Sequence, residues 1–165
     1  QVPLATHAIA KHDDKQRETA ELEVSRPGRK AQAQDVEPTM ASAPPTLEVV
    51  LIDNDEQLLK ALSAQLRDWG CRVIAVSGRA ELMKEASNLR QVPNLIIADY
   101  HLDDGDNGVD LVTHWLQNKR WTTTCIICSA DPSEHLRQHA SNAGFDFIKK
   151  PIKALALKRL LKQLS

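Results

Sequence analysis

Four short apolar runs, each closed by one polar side chain, constrain this chain more than any other feature. Val49 to Ile52 run into Asp53, Leu95 to Ala98 into Asp99, Cys125 to Cys128 into Ser129, and Phe147-Ile148 into Lys149-Lys150-Pro151. Runs this short and uniformly apolar read as strands buried on both faces, as in a parallel sheet, and the stretches between them are long enough for crossover helices. A parallel sheet gathers the closing residues at its carboxyl edge, where open α/β sheets bind their ligands. Two carboxylates, a hydroxyl and an ammonium therefore converge on one small site, a grouping suited to phosphoryl chemistry with a divalent metal.

A βα unit repeats five times from Leu47 onward. The strands are expected at about 47–53, 71–76, 94–99, 123–129 and 145–149. Between them, apolar residues recur at the spacings that bury one helix face. Leu58, Leu62, Leu66 and Trp69 form one stripe, Leu82, Ala86 and Leu89 a second, and Val109, Val112, Trp115 and Leu116 a third. Leu136, Ala140 and Ala143 form a fourth, and Leu157, Leu160, Leu161 and Leu164 a fifth. Gly70 and Gly144 mark helix ends, and Pro132 marks a helix start. The two indoles on these stripes, Trp69 and Trp115, are read as core residues.

Residues 1–46 differ in kind. They hold Pro3, Pro27, Pro38, Pro44 and Pro45 of the chain's eight prolines, have no aromatic residue, and mix charges closely. Such a composition cannot bury enough apolar surface to offset its ordering entropy, so a flexible linker is expected, with at most a transient helix over 12–24. The chain opens on Gln1 rather than Met, which reads as a piece of something longer.

A length of 165 residues and a net charge of −1 leave room for one ordinary domain plus this appendage. They give no sign of nucleic acid or an anionic membrane as the main partner. No apolar run approaches the roughly 18 residues of a membrane span, and no basic-then-apolar leader opens the chain. Three cysteines, Cys71, Cys125 and Cys128, cannot form a closed disulfide set, which favours a reducing compartment. Cys125 and Cys128 make a C-x-x-C spacing, but on a strand residues three apart point to opposite faces, so the pair reads as small buried hydrophobes. His135 and His139, four apart on a helix, have the spacing of a metal pair but no evident third ligand, and read as a solvated face.

Phosphoryl transfer asks a protein mainly for positioning and charge neutralisation. Asp53 and Asp99 can reach one Mg²⁺, which takes one or two carboxylates and keeps several waters. Lys150 can pair with phosphoryl oxygens as a point charge, and Ser129 can donate to one of them. The polar loop from His101 to Gly108, with Gly105 inside it, can fold tightly beside an ion.

These motifs, VVLIDND, LIIADYHL, IICSAD and FIKKP, make residues 47–165 resemble a receiver domain of two-component signalling over about 120 residues. The resemblance implies a flavodoxin-like (βα)5 doubly wound parallel sheet of strand order 2-1-3-4-5. It implies that Asp99 is the phosphoacceptor, that Asp53 helps hold Mg²⁺, and that the backbone carbonyl of His101 is a further metal ligand. Lys150 is then expected to bridge to the phosphoryl group, Ser129 to move towards it, and Phe147 to swing inward with Ser129. The implied partners are a histidine kinase domain, in cis or in trans, and a histidine phosphotransfer protein. No nucleic acid and no direct membrane contact are expected, and the place of action is the cytoplasm even if the parent is membrane-anchored.

The chain departs from the pattern at one position. Most receivers carry two adjacent acids after the first strand, and here the second is Asn54; Asp55 follows as the candidate to compensate. QVPLA at residues 1–5 is similar to the closing strand of a histidine-kinase ATP-binding domain. With the domain closing the chain at Ser165 behind a linker, the C-terminal receiver of a hybrid sensor kinase is favoured over a separate regulator. Two other classes compete. A haloacid-dehalogenase-like phosphatase also uses the pattern Asp53-Asn54-Asp55, but it needs acids after its lysine, and no Asp or Glu follows Lys150. A receiver-like docking module that works without phosphorylation gains some weight from Asn54.

Overall fold

The computed structural model describes residues 46–165. The linker and transient helix expected within residues 1–46 lie, but for Thr46, outside the described residues. The elements alternate as β1 (Glu48–Ile52), α1 (Glu56–Asp68), β2 (Arg72–Val76), α2 (Arg79–Ala86), β3 (Leu95–Asp99), α3 (Gly108–Lys119), β4 (Thr124–Ser129), α4 (Glu134–Asn142), β5 (Asp146–Lys149) and α5 (Ala154–Leu164). A single 3₁₀ turn, Asp103–Gly105, interrupts the connection from β3 to α3.

All five strands pair in parallel, in the order β2-β1-β3-β4-β5. The expected flavodoxin-like sheet is therefore the fold observed. β1 and β3 are buried at every position, which is why their sequences are continuous apolar runs rather than alternating ones. Alternate strand residues feed two cores. Val50, Ile52, Ile96, Ala98 and Ile127 meet α2, α3 and α4, whereas Val49, Leu51, Leu95, Ile97 and Ile126 meet α1 and α5.

Cys125 belongs to the first core and Cys128 to the second, so the C-x-x-C pair is divided by the sheet. Burial pushes both thiols upward, Cys128 to about 12, and neither acts as a thiolate. Trp115 is fully buried, with Trp121 packed edge-on against it, whereas Trp69 is only partly buried beneath the Lys158 ammonium.

Helix ends follow local chemistry. Gly70 and Gly144 adopt φ of 86° and 80°, and in each case the next residue's N–H reaches back to close the helix: Cys71 to Leu66 O and Phe145 to Ala140 O. α3 ends in the same left-handed way on Arg120, which no glycine announces. α4 begins two residues later than Pro132 suggests. The Asp131 carboxylate accepts the Ser133 N–H at 2.9 Å, and this turn keeps residues 131–133 out of the helix. Among the described residues no helix is long and apolar enough to cross a membrane.

Candidate functional site

The strand order reverses between β1 and β3, so their carboxyl ends flank the crevice where this class of sheet binds ligands. Asp99 is the last residue of β3, the middle strand, and Asp53 directly follows β1. Each is held by backbone bonds that extend the ladder: Asp53 N–H donates to Val76 O, and Tyr100 N–H to Cys128 O. Lys150 arrives from the far side, directly after β5, with its own N–H on Ser129 O at 2.8 Å.

The three charged side chains meet. Lys150 Nζ lies 2.7 Å from Asp53 Oδ2 and 3.2 Å from Asp99 Oδ1. Asp53 and Asp99 are only 7% and 8% exposed, and buried carboxylates are costly unless paired. One ammonium serves both, leaving one net negative charge in the crevice. The floor beneath is apolar, lined by Leu58, Leu59, Leu62, Ile97 and Cys128.

That floor explains the electrostatics. Burial raises Asp99 above the ordinary carboxylate value, Lys150 pulls it back, and the charge of Asp53 raises it again. For Lys150 burial acts downward, but the hydrogen bond it donates to Asp53 and the charges of both acids outweigh it and leave the amine more basic than usual. The donor set is entirely oxygen and carries excess negative charge, which fits Mg²⁺. The two hydrogen bonds that close the 101–107 hairpin, Leu102 N–H to Asp106 O and Gly108 N–H to Tyr100 O, flank His101 and leave its carbonyl available.

The remaining expected residues divide. Ser129 is fully buried, and its Oγ accepts the Asp131 N–H at 3.1 Å, within the β4–α4 turn. Phe147 is half-buried two residues before Lys149, under the Arg137 guanidinium at 5.0 Å from its ring centre. The structure thus ties Phe147 to α4 and Ser129 to the loop that starts α4.

Asp55, the candidate to compensate for Asn54, is the N-cap of α1. α1 starts immediately after it, and its Oδ1 accepts the N–H groups of Gln57 and Leu58 at 3.0 and 3.1 Å. This N-cap commits that oxygen to orphan helix donors. Asp55 N–H in turn donates to Asp53 Oδ1 at 2.9 Å, so the residue orients the metal-facing acid through its backbone. Asn54 turns outward, its Nδ2 donating to Asp103 Oδ1 at 2.7 Å.

Three further features have no counterpart in the sequence reading. Gly108, the first residue of α3, lies against β3 so closely that a Cβ there would overlap the Asp99 carbonyl oxygen outright and sit 3.0 Å from its carbon. Its need is close approach rather than special φ. Tyr100, next to Asp99, carries its hydroxyl to His139 Nδ1 at 2.9 Å, and His139 Nε2 meets Asp110 Oδ1 at 3.2 Å. Both ring nitrogens of His139 are engaged, which leaves no lone pair for a metal shared with His135. Arg79 grips Asp106 with two 2.8 Å bonds and ties the β2–α2 turn to the loop after β3.

Comparison with known proteins agrees with this architecture. The family model for the response regulator receiver domain matches residues 49–162. The phyllosphere-induced regulator PhyR of Methylorubrum extorquens is 30% identical over 117 residues, which cover 70% of this chain and 42% of that protein. The chain thus spans less than half the length of this curated relative. A two-component response regulator from Clostridium difficile superposes with a TM-score of 0.65 at 18% identity, over 72% of this chain and 95% of the other. The signal receiver domain of an HD domain-containing protein from Pseudomonas fluorescens gives 0.64 at 23% identity, over 76% and 91%. At such identities the two structures speak for the fold alone. A receiver-family match across most of the chain, on a (βα)5 sheet with two acids and a lysine at its carboxyl edge, places this chain in the response regulator receiver domain family of two-component signalling.

Proposed function

We propose that residues 47–165 form a phosphoacceptor module in which Asp99 takes a phosphoryl group from a phosphohistidine. The observation that carries this reading is the buried Asp99 at the end of the central strand, sharing Lys150 with Asp53. Transfer forms a P–O bond to an Asp99 oxygen as the P–N bond of the donor breaks, and the electron pair leaves with the imidazole nitrogen. Asp53, Asp99 and the His101 carbonyl are the residues to hold Mg²⁺, with Asn54 beside them. The ion supplies charge neutralisation for the phosphoryl oxygens.

Lys150 is already aimed at the reacting carboxylate, so it needs little reorganisation to follow charge from Asp99 to the new phosphoryl oxygens. Ser129 accepts the Asp131 N–H and keeps its own hydroxyl proton to donate to the same group, so its movement towards the phosphoryl oxygens pulls on that turn. That pull shifts the start of α4, and with it the Arg137 cover over Phe147, which is the route by which the switch pair reports phosphorylation. A histidine kinase domain or a histidine phosphotransfer protein would be the donor.

The wider setting belongs to the same proposal. Residues 1–46 are read as a linker, and QVPLA at the start supports the C-terminal receiver of a hybrid histidine kinase acting in the cytoplasm. The docking-module reading rests on Asn54, which weakens the acid pair. Adding Mg²⁺ and beryllofluoride and following amide shifts separates the two. Phosphoacceptor function predicts changes at Asp99 and across residues 129–155; an unchanged spectrum at saturating beryllofluoride would favour docking alone.

A further inference from the structure

We infer that Tyr100, His139 and Asp110 form a latch that holds α4 in its resting place against the phosphoacceptor strand, so that switching at Asp99 works against it. The inference rests on the phosphoacceptor reading above and adds what sets the threshold of the switch. Tyr100 follows Asp99 directly and is 8% exposed. Its main chain is fixed on both sides, with its N–H on Cys128 O and its carbonyl accepting the Gly108 N–H. The hydroxyl is thus carried by the phosphoacceptor strand, and it stands 2.9 Å from His139 Nδ1 on α4.

The chemistry gives each atom of the latch one role. His139 Nε2 meets Asp110 Oδ1 at 3.2 Å, and because an ionised carboxylate only accepts, the ring proton belongs on Nε2. In the neutral ring Nδ1 is then bare, so the Tyr100 hydroxyl donates to it. Asp110 is itself held within the first turn of α3, where Asn107 Nδ2 donates to its Oδ2 at 2.7 Å and Asn107 Oδ1 accepts its N–H at 2.9 Å. The bonds therefore run from β3 through α4 to α3.

α4 has little else to hold it. Leu136 and Ala140 are its only buried residues, and an element with so few buried contacts moves at low cost. Ser129 pulls on the turn before α4, whereas His139 lies in the second half of the helix, so a shift of α4 along or away from β3 must stretch the bond to Tyr100. A hydrogen bond made in one of two arrangements and lost in the other biases their ratio by about three- to tenfold. A ligand that favours the shifted arrangement binds more weakly by the same factor, because that arrangement is less populated.

The test is titration of beryllofluoride, at saturating Mg²⁺, into the parent protein, Tyr100→Phe, His139→Ala, His139→Asn and Gln138→Ala. Amide shifts give the apparent dissociation constant, and thermal unfolding checks each fold. Tyr100→Phe and His139→Ala should bind about three- to tenfold more tightly although each is less stable than the parent, an outcome that structural damage alone would not produce. His139→Asn puts an amide oxygen near the place of Nδ1 and should return towards the parent affinity. Gln138→Ala, on the same helix, gives up an exposed bond to Asn142 and should bind like the parent. Parent-like or weaker binding by both Tyr100→Phe and His139→Ala would overturn the inference and leave the phosphoacceptor reading standing. An equal gain in Gln138→Ala would overturn it in favour of a general loosening of α4. A folded parent that binds no beryllofluoride would overturn both.

Discussion

Replacing Gly108 by Ala isolates the contact that sets the distance between α3 and the phosphoacceptor strand. The added methyl would overlap the Asp99 carbonyl oxygen and stand 3.0 Å from Asp99 C and 3.2 Å from Ala98 Cβ. Two of these three neighbours are backbone atoms of β3, which is fully buried and paired on both sides, so the helix must retreat instead. Retreat stretches the 2.9 Å bond from Gly108 N–H to Tyr100 O, which closes the hairpin around His101. Overpacking of this kind costs about 1–3 kcal/mol, and removing glycine from a helix returns at most about 1 kcal/mol, less at a first-turn position. The net loss is about 1–2 kcal/mol, or a fall in Tm of roughly 4–8 °C for a domain of this size. Urea and thermal unfolding measure it directly, and phosphorylation by acetyl phosphate should slow because the Asp99 main chain shifts. Unchanged or increased stability would refute the close-approach argument.

Three other outcomes follow from the same geometry. Burial raises Asp99, so its ionised form weighs against folding; the favourable contribution is complete below the ordinary value of 3.8 and is lost as pH rises through the raised one. Asp99→Asn should therefore be more stable than the parent at pH 7, with an advantage in Tm that shrinks as the pH is lowered towards 4. Asp55→Ala should lose about 1 kcal/mol with its N-cap, while Mg²⁺ affinity changes far less than in Asp53→Asn. Tyr100→Phe removes the 2.9 Å bond to His139 and should cost about 1 kcal/mol, with faster amide exchange in α4 as the readout.

What the sequence disclosed and what it withheld divide along contact range. The strands and their closing residues were legible because the runs before Asp53, Asp99 and Ser129 are each four apolar residues ended by one polar side chain, with only the half-buried Phe147-Ile148 pair before Lys150, and a parallel sheet leaves Asp53, Asp99, Ser129 and Lys150 at one edge whatever the details of the loops. Helix stripes were legible for a similar reason, since a period of 3.6 is written in the chain itself. Asp55 stayed open in the sequence because an acid two places after a strand end serves equally as a ligand or as an N-cap; the tight start of α1 gives it the N-cap. Asn54 with Asp103, and Tyr100 with His139, pair residues 49 and 39 positions apart, and nothing local announces such contacts. Arg120 closes α3 without glycine because the bonds to Gln117 and Leu116 impose the left-handed turn on a residue that does not favour it.

The most direct test of the central claim is the site of phosphorylation. Incubation with Mg²⁺ and acetyl phosphate, followed by intact mass and peptide mapping, should show one acyl phosphate on Asp99. Asp99→Asn should take none, and Lys150→Ala should be labelled but fail to shift residues 129–155. Equal labelling of Asp99→Asn and the parent, or no labelling of the folded, Mg²⁺-saturated parent, would contradict the account.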